Sequence, residues 1–238
     1  MIVYKPILKI KAMSFDLDDT LYDNWPYIVE AEKRLYAYLA KNYAQTDSIS
    51  KSDWQGFKRS ALIEDPQLCS DMGELRKITL TKGLSQAGYQ GEALNHAVKD
   101  CFDYFYFERS NFKVPKDICE VLEKLSNHLP LVAITNGNVN LEQIGISDFF
   151  VKIYKASRQQ PMKPDSYMFD AAATYLKIPP AQILHVGDNL KKDVWAATNA
   201  GYKSAWFAVN RNMDLSKEKV ELLPNVQLTE FSQLLKFI

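Results

Sequence analysis

The sequence predicts a doubly wound (Rossmann-like) α/β core, a parallel sheet with helices on both faces, carrying an all-helical block inserted after its first strand. Three observations carry this expectation. Short apolar runs alternate with amphipathic segments of helical period over residues 113–238, the texture of buried parallel strands and their crossover helices. Residues 22–112 contain no strand-like run. Three apolar runs end in polar turn residues, and open parallel sheets bind ligands beyond the carboxyl ends of their strands.

In chain order, the opening MIVYKPILKIKAM is broken by lysines and lacks the unbroken apolar stretch of a secretory signal. Ala12–Phe15 is the first buried strand. Asn24 stands as a candidate helix cap with Pro26 in the first turn, and Ile28, Ala31, Leu35, Tyr38 and Leu39 follow at helical spacing. Two further helices are expected over 51–64 and 73–87, the second closed by Gly88. A fourth puts Leu94, Ala97, Val98, Cys101, Phe102 and Phe105 on one face. The core resumes with DICEVLEKLSNHL, whose Ile118, Val121, Leu122 and Leu125 share a face. Strands are expected at 129–135, 151–156, 183–188 and 203–209, with one helix starting at Pro164 and another ending at Gly201. The expected division is a core of residues 1–21 and 113–238 and a helical domain of 22–112.

At 238 residues, 47% hydrophobic and 24% charged, the composition is that of an ordinary globular protein. The 29 basic residues balance 29 acidic ones, so no nucleic-acid partner is expected. No stretch approaches the roughly 20 apolar residues that span a bilayer, so no membrane contact is expected. Cys69, Cys101 and Cys119 are scattered and form no CxxC. Such thiols fit a reducing compartment, and the expected location is the cytoplasm.

The strand ends carry the chemistry. Asp16, Asp18, Asp19 and Thr20 follow the first strand; Thr135, Asn136, Gly137 and Asn138 follow the second long apolar run; Gly187, Asp188, Asn189 and then Asp193 follow ILHV. Lys163 precedes Pro164. The rim is all oxygen ligands and one ammonium, with no histidine or cysteine, which selects a hard cation such as Mg²⁺. An EF-hand counted from Asp16 would need Gly and Glu where the chain has Leu21 and Tyr27. A carboxylate in such a rim can act as a nucleophile toward phosphorus, given a cation to screen the two anions, donors for the transferring oxygens and an acid/base. Thr135, the amides near Asn136 and Lys163 suit the donors, and Asp18 suits the acid/base.

DLDDT, TNG, KPD and GDNLKKD resemble, in order, the four motifs of the haloacid dehalogenase (HAD)-like hydrolases, and the likeness extends over essentially the whole chain. The resemblance implies that Asp16 is nucleophile and Mg²⁺ ligand. It makes Asp18 the acid/base and a ligand through its main-chain carbonyl, and Asp188 the remaining protein ligand. Thr135, Asn136 and Lys163 would hold the phosphoryl group, Asp193 would support the metal indirectly, and Asp19 and Thr20 would shape the turn. Dehalogenases of the family lack the second aspartate of the first motif, so Asp18 implies phosphoryl transfer; a sugar phosphomutase or a silent binding protein on the same scaffold are the alternatives. The helical block corresponds to a cap that closes over the site and sets specificity. Arg76, Trp25 and Tyr27 are its candidate substrate contacts. Phe102, Phe105 and Arg109 read as a packed helix face, and His96, His128 and His185 as structural or exposed. Within the family the stretches YKPILKIKAMSFDLDDTLYDN, LPLVAITNGN and ILHVGDNLKKDV resemble phosphatases of ribityl phosphates in riboflavin biosynthesis. The expected partner is therefore a small phosphorylated metabolite, acted on by a monomer or homodimer.

Overall fold

A computed structural model describes residues 1–7 and 9–238. Its strands are β1 (Ile2–Val3), β2 (Ala12–Phe15), β3 (Leu131–Thr135), β4 (Lys152–Lys155), β5 (Ile183–Gly187), β6 (Lys203–Trp206) and β7 (Val226–Gln227). Its α-helices are α1 (Trp25–Asn42), α2 (Lys51–Glu64), α3 (Met72–Gln86), α4 (Gly91–Arg109), α5 (Lys116–Ser126), α6 (Leu141–Ile144), α7 (Tyr167–Leu176) and α8 (Ala196–Asn199). The strands form one sheet in the order β1-β7-β6-β5-β2-β3-β4, parallel except for β1. From β2 the chain moves outward through β3 and β4, then crosses back to build β5, β6 and β7 on the other side. The order therefore reverses at β2, and a crevice opens beyond the carboxyl ends of β2, β3 and β5.

Register assigns the strand residues to two cores. Met13 lies between Leu131 and Leu184, and Phe15 between Ala133 and Val186. These side chains pack on Ile118, Val121, Leu122 and Leu125 of α5 and on Phe231 and Leu234 near the C-terminus. The opposite face, with Ala12, Val132, Ile134 and Ile183, meets Met168, Phe169 and Ala172 of α7 and Ala196 and Ala197 of α8. Every residue of β2, β3 and β5 is buried, as expected of strands covered on both sides.

Helices α1 to α4 enclose a third core containing Leu35, Leu39, Trp54, Leu84, Cys101 and Phe105. A capping box starts α2: the Ser50 hydroxyl accepts from the Asp53 amide while the Asp53 carboxylate accepts from the Ser50 amide. Among the described residues no helix is long and apolar enough to cross a membrane.

Four local expectations are corrected. Asn24 makes no side-chain capping bond to α1. The helix expected at Pro164 begins at Tyr167, because the Asp165 carboxylate accepts the Tyr167 amide (2.8 Å) and shapes a turn first. The crossover from β5 to β6 starts as a π-helical stretch over Leu190–Trp195 before α8. The two-residue edge strands β1 and β7 were not foreseen; strands this short leave no alternation to read.

Candidate active site

Asp16 leaves the end of β2 with its amide bonded to the Val186 carbonyl (2.9 Å), so both neighbouring strands fix its position. One carboxylate oxygen accepts from Lys163 Nζ at 2.6 Å and the other from the Thr20 hydroxyl at 3.2 Å. Lys163, 1% exposed, also donates to Asp193 Oδ1 (2.6 Å) and to the Ile134 carbonyl (2.8 Å). All three of its protons are thus engaged, and it acts outward through charge rather than through a free donor. Asn136 sets the loop that carries it. Its side-chain oxygen accepts from the Lys163 amide (2.8 Å) and its side-chain nitrogen donates to the Lys163 carbonyl (2.9 Å). Asn136 therefore holds Lys163, while Thr135, buried at the end of β3, accepts from the Gly137 amide (3.0 Å) and, among the described residues, has no acceptor for its own hydroxyl proton.

Asp193 is tied down from behind. Oδ2 accepts from the Asn189 amide (2.9 Å), and Oδ1 faces His185 Nε2 (3.3 Å) as well as Lys163. The other His185 nitrogen meets the Ser14 hydroxyl at 2.8 Å, across the β2–β5 register that pairs these residues. Burial would raise the Asp193 carboxyl, but the ammonium of Lys163 and the bond to His185 together outweigh it and hold the group well below the usual carboxylate range. The same pair of carboxylates overcomes burial at Lys163 and keeps it charged. Asp16 is left the poorer partner: burial pushes it well up, against the pull of Lys163. Burial likewise pushes Asp188 up to about 6, with Asp193 adding to the rise and Arg211 opposing it from 2.9 Å.

Oxygens of Asp16, Asp188 and Asp193 lie within 4.8 Å of one another. Three carboxylates share Lys163 and Arg211, so one negative charge has no cation of its own. A buried anion without a counterion is costly, and a hard divalent cation fits both the oxygen set and the charge. The Asp18 carboxylate stands outside this trio. Its Oδ1 accepts from the Tyr22 hydroxyl (2.6 Å) and from Arg109 Nη2 (2.8 Å). Asp19 turns the corner at φ 62°, with Oδ1 accepting from the Asn24 amide (3.0 Å) and the Asn210 side chain (2.9 Å).

A cavity of about 460 Å³ runs from Asp18, Asn136 and Gly137 up between α1, α2, α3 and α4. Arg76 lines it, bonded to Glu32 (3.1 Å) and lying 3.9 Å over the Phe105 ring. Trp25 and Tyr27 do not line it. Trp25 is 71% exposed, and Tyr27 stacks on Phe112 at 3.9 Å. Sequence reasoning missed three partners. Arg109 was read as a packing residue; it is 3% exposed, as packing requires, yet its guanidinium binds Asp18. Arg211 and the Ser14–His185 link had no periodic signal; His185 shares the β5 face of Ile183 and meets the Phe169 ring edge-on at 4.9 Å.

A family model described as haloacid dehalogenase-like hydrolase matches residues 10–201. The chain is 31% identical over 235 residues to the 5-amino-6-(5-phospho-D-ribitylamino)uracil phosphatase YigB of Escherichia coli (strain K12), covering 99% of each. It is 24% identical to a phosphoglycolate phosphatase of Photobacterium profundum, covering 96% of each. Among solved structures, one called a 2-haloacid dehalogenase, from Pseudomonas syringae pv. tomato DC3000, superposes with a TM-score of 0.88 at 29% identity, covering 96% of this chain and 97% of that one. The chain belongs to the haloacid dehalogenase-like hydrolases. It is a phosphoric monoester hydrolase, in a family whose phosphatases generally use a divalent metal.

Proposed function

We propose that this phosphatase acts on ribityl phosphates, 5-amino-6-(5-phospho-D-ribitylamino)uracil and flavin mononucleotide (FMN), with Mg²⁺ and through phosphoryl transfer to Asp16. The observation that carries the substrate reading is the end-to-end match to the E. coli enzyme, 99% of each chain. The cavity above Asp18 supports it, because it offers Tyr36, Trp54 and Phe105 beside Glu32 and Arg76, apolar surface with a few polar groups, as small-molecule sites have.

In this reading Asp16 attacks phosphorus, the bond from phosphorus to the ester oxygen breaks, and Asp18 donates a proton to the departing alcohol. Asp18 then takes a proton from the water that attacks the phosphoryl-aspartate, which returns Asp16 and releases orthophosphate. Asp16, Asp188 and the Asp18 main-chain carbonyl would hold Mg²⁺, whose chemistry there is to screen one anion from another. Lys163 keeps positive charge against Asp16 and Asp193, Thr135 offers its hydroxyl to the phosphoryl oxygens, and Asn136 keeps Lys163 in register. Residues 22–112 serve as the cap over the core formed by 1–21 and 113–238. Asp18 separates this chemistry from halide displacement, in which the leaving ion needs no proton.

The test is phosphate release with Mg²⁺ from a panel of phosphomonoesters. A kcat/KM for the two ribityl compounds at least tenfold above simple sugar phosphates, about 1.4 kcal/mol of transition-state discrimination, is expected. A flat profile would remove the ribityl assignment, and interconversion of sugar phosphates without phosphate release would point to a phosphomutase.

A further inference from the structure

Arg109 is the last residue of α4, in the helical block, yet it reaches into the site built on the core strands. Its guanidinium is 3% exposed. Nη2 donates to Asp18 Oδ1 at 2.8 Å, the oxygen that also accepts from Tyr22 at 2.6 Å. Nη1 is buried and, among the described residues, has no hydrogen-bond partner. A buried donor without an acceptor costs roughly 1–3 kcal/mol, more when charged. A buried donor left open beside a ligand cavity is suited to an acceptor oxygen on the ligand.

The surroundings say where that acceptor sits. Arg109, Asp18, Asn136 and Gly137 line the same end of the 460 Å³ cavity. The Asp18 carboxylate is walled on its other side, because a Cβ at Gly137 would fall 2.5 Å from Oδ2. Asp18 thus has one place to be, and Arg109 with Tyr22 keeps it there.

We propose that Arg109 is a positioning residue for Asp18 and that its free Nη1 donates to an oxygen of the substrate's leaving group. This rests on the reading of Asp18 as the general acid. The two arms of one guanidinium would then fix the acid and the alcohol it protonates relative to each other, and tie that alignment to the seating of the helical block.

The experiment exploits leaving-group chemistry. An alkyl phosphate such as ribose 5-phosphate needs a proton on its departing oxygen, whereas p-nitrophenyl phosphate releases p-nitrophenolate, a stable anion that needs none. General acid catalysis contributes about 10²–10⁴-fold. For the Mg²⁺-loaded enzyme, Arg109→Gln is expected to lower kcat/KM, which covers the steps through phosphoryl transfer to Asp16 and leaves out the hydrolysis both esters share, by about 100-fold or more on the alkyl ester and by less than about tenfold on the aryl ester. Arg109→Lys, which keeps a cation near Asp18 but has no second arm, should recover much of the alkyl kcat and show a raised KM. Tyr22→Phe, which removes the other donor to the same oxygen, should give a weaker loss of the same selectivity, and it serves if Arg109→Gln does not fold.

Asp18→Asn separates the two readings. If Asp18→Asn is selective for the alkyl ester in kcat/KM while the Arg109 and Tyr22 variants lower kcat/KM equally on both esters, the positioning role is wrong and the acid stands. If Asp18→Asn itself lowers kcat/KM equally on both esters, the acid reading fails and this inference goes with it. An unchanged KM in Arg109→Lys would remove the contact of Nη1 with the leaving group.

Discussion

A methyl group at position 137 would lie 2.5 Å from the Asp18 carboxylate oxygen, and one at 187 would lie 2.3 Å from the Asp193 carboxyl carbon. Neither neighbour can step aside: Asp18 is held by Tyr22 and Arg109, Asp193 by Lys163 and the Asn189 amide. Gly137→Ala is therefore expected to cut kcat for phosphate release by about 100-fold, the low end of general acid catalysis, with little change in thermal midpoint. Gly187→Ala intrudes on a fully buried ion network and should also lower stability, by about 1–3 kcal/mol in denaturant unfolding. The thiols make a separate prediction. Burial, then the nearby Asp100 carboxylate, pushes Cys101 up to about 12, whereas Cys69 is exposed. Because the thiolate is the reactive form, a disulfide reagent at pH 8 should label Cys69 quickly and Cys101 only after unfolding. These residue-scale facts divide by distance. That Asp16, Thr135 and Asp188 sit at strand ends was readable from position alone. That Asn136 spends its amide on Lys163, 27 residues away, was not.

At the scale of elements, the helix pattern was legible wherever an apolar stripe ran long enough. The helix expected over 51–64 runs over Lys51–Glu64, and the one expected over 73–87 runs over Met72–Gln86. A short local bond defeated the pattern at Pro164, where the Asp165 side chain takes the Tyr167 amide, whereas Asn189 caps the π-helical stretch by accepting from the Lys191 and Lys192 amides. Gly83 marks where two elements touch. A Cβ there would stand 2.2 Å from the Trp54 ring, which α2 lays across α3. Replacing an interior helical glycine by alanine ordinarily gains about 1 kcal/mol, but displacing a buried indole costs about 1–3. Gly83→Ala should therefore destabilise on balance, read as a lowered midpoint in denaturant. A Trp54→Leu change in the same chain, by making room, should recover part of the loss.

At the scale of the molecule, the helical block meets the core loop that carries Lys163. Arg158 pairs with Asp65, and the Met162 amide donates to the Ser70 hydroxyl at 3.1 Å. If residues 22–112 close as a cap, these contacts favour the closed form. Arg158 is 43% exposed, so its pair is worth at most about 1 kcal/mol. Arg158→Ala is expected to raise KM roughly two- to fivefold with stability nearly unchanged; an unaltered KM would remove the clasp. The Mg²⁺ reading has a readout free of turnover. Ligand at about 100 times its Kd stabilises by about 2.7 kcal/mol, so added Mg²⁺ should raise the thermal midpoint of the native chain and barely move that of Asp188→Asn.

By itself the sequence determined the class of fold, the helical block between β2 and α5, and the carboxylates, hydroxyl and lysine that gather at the strand ends. Periodicity and strand-end position are local properties, written within a few residues. Only the tertiary structure decided how those groups are partnered. Arg109 finds Asp18 across 91 residues, Arg211 finds Asp188 across 23, and Ser14 finds His185 across 171. No periodicity records such pairs, because they are set by strand register and by where the fourth helix happens to end.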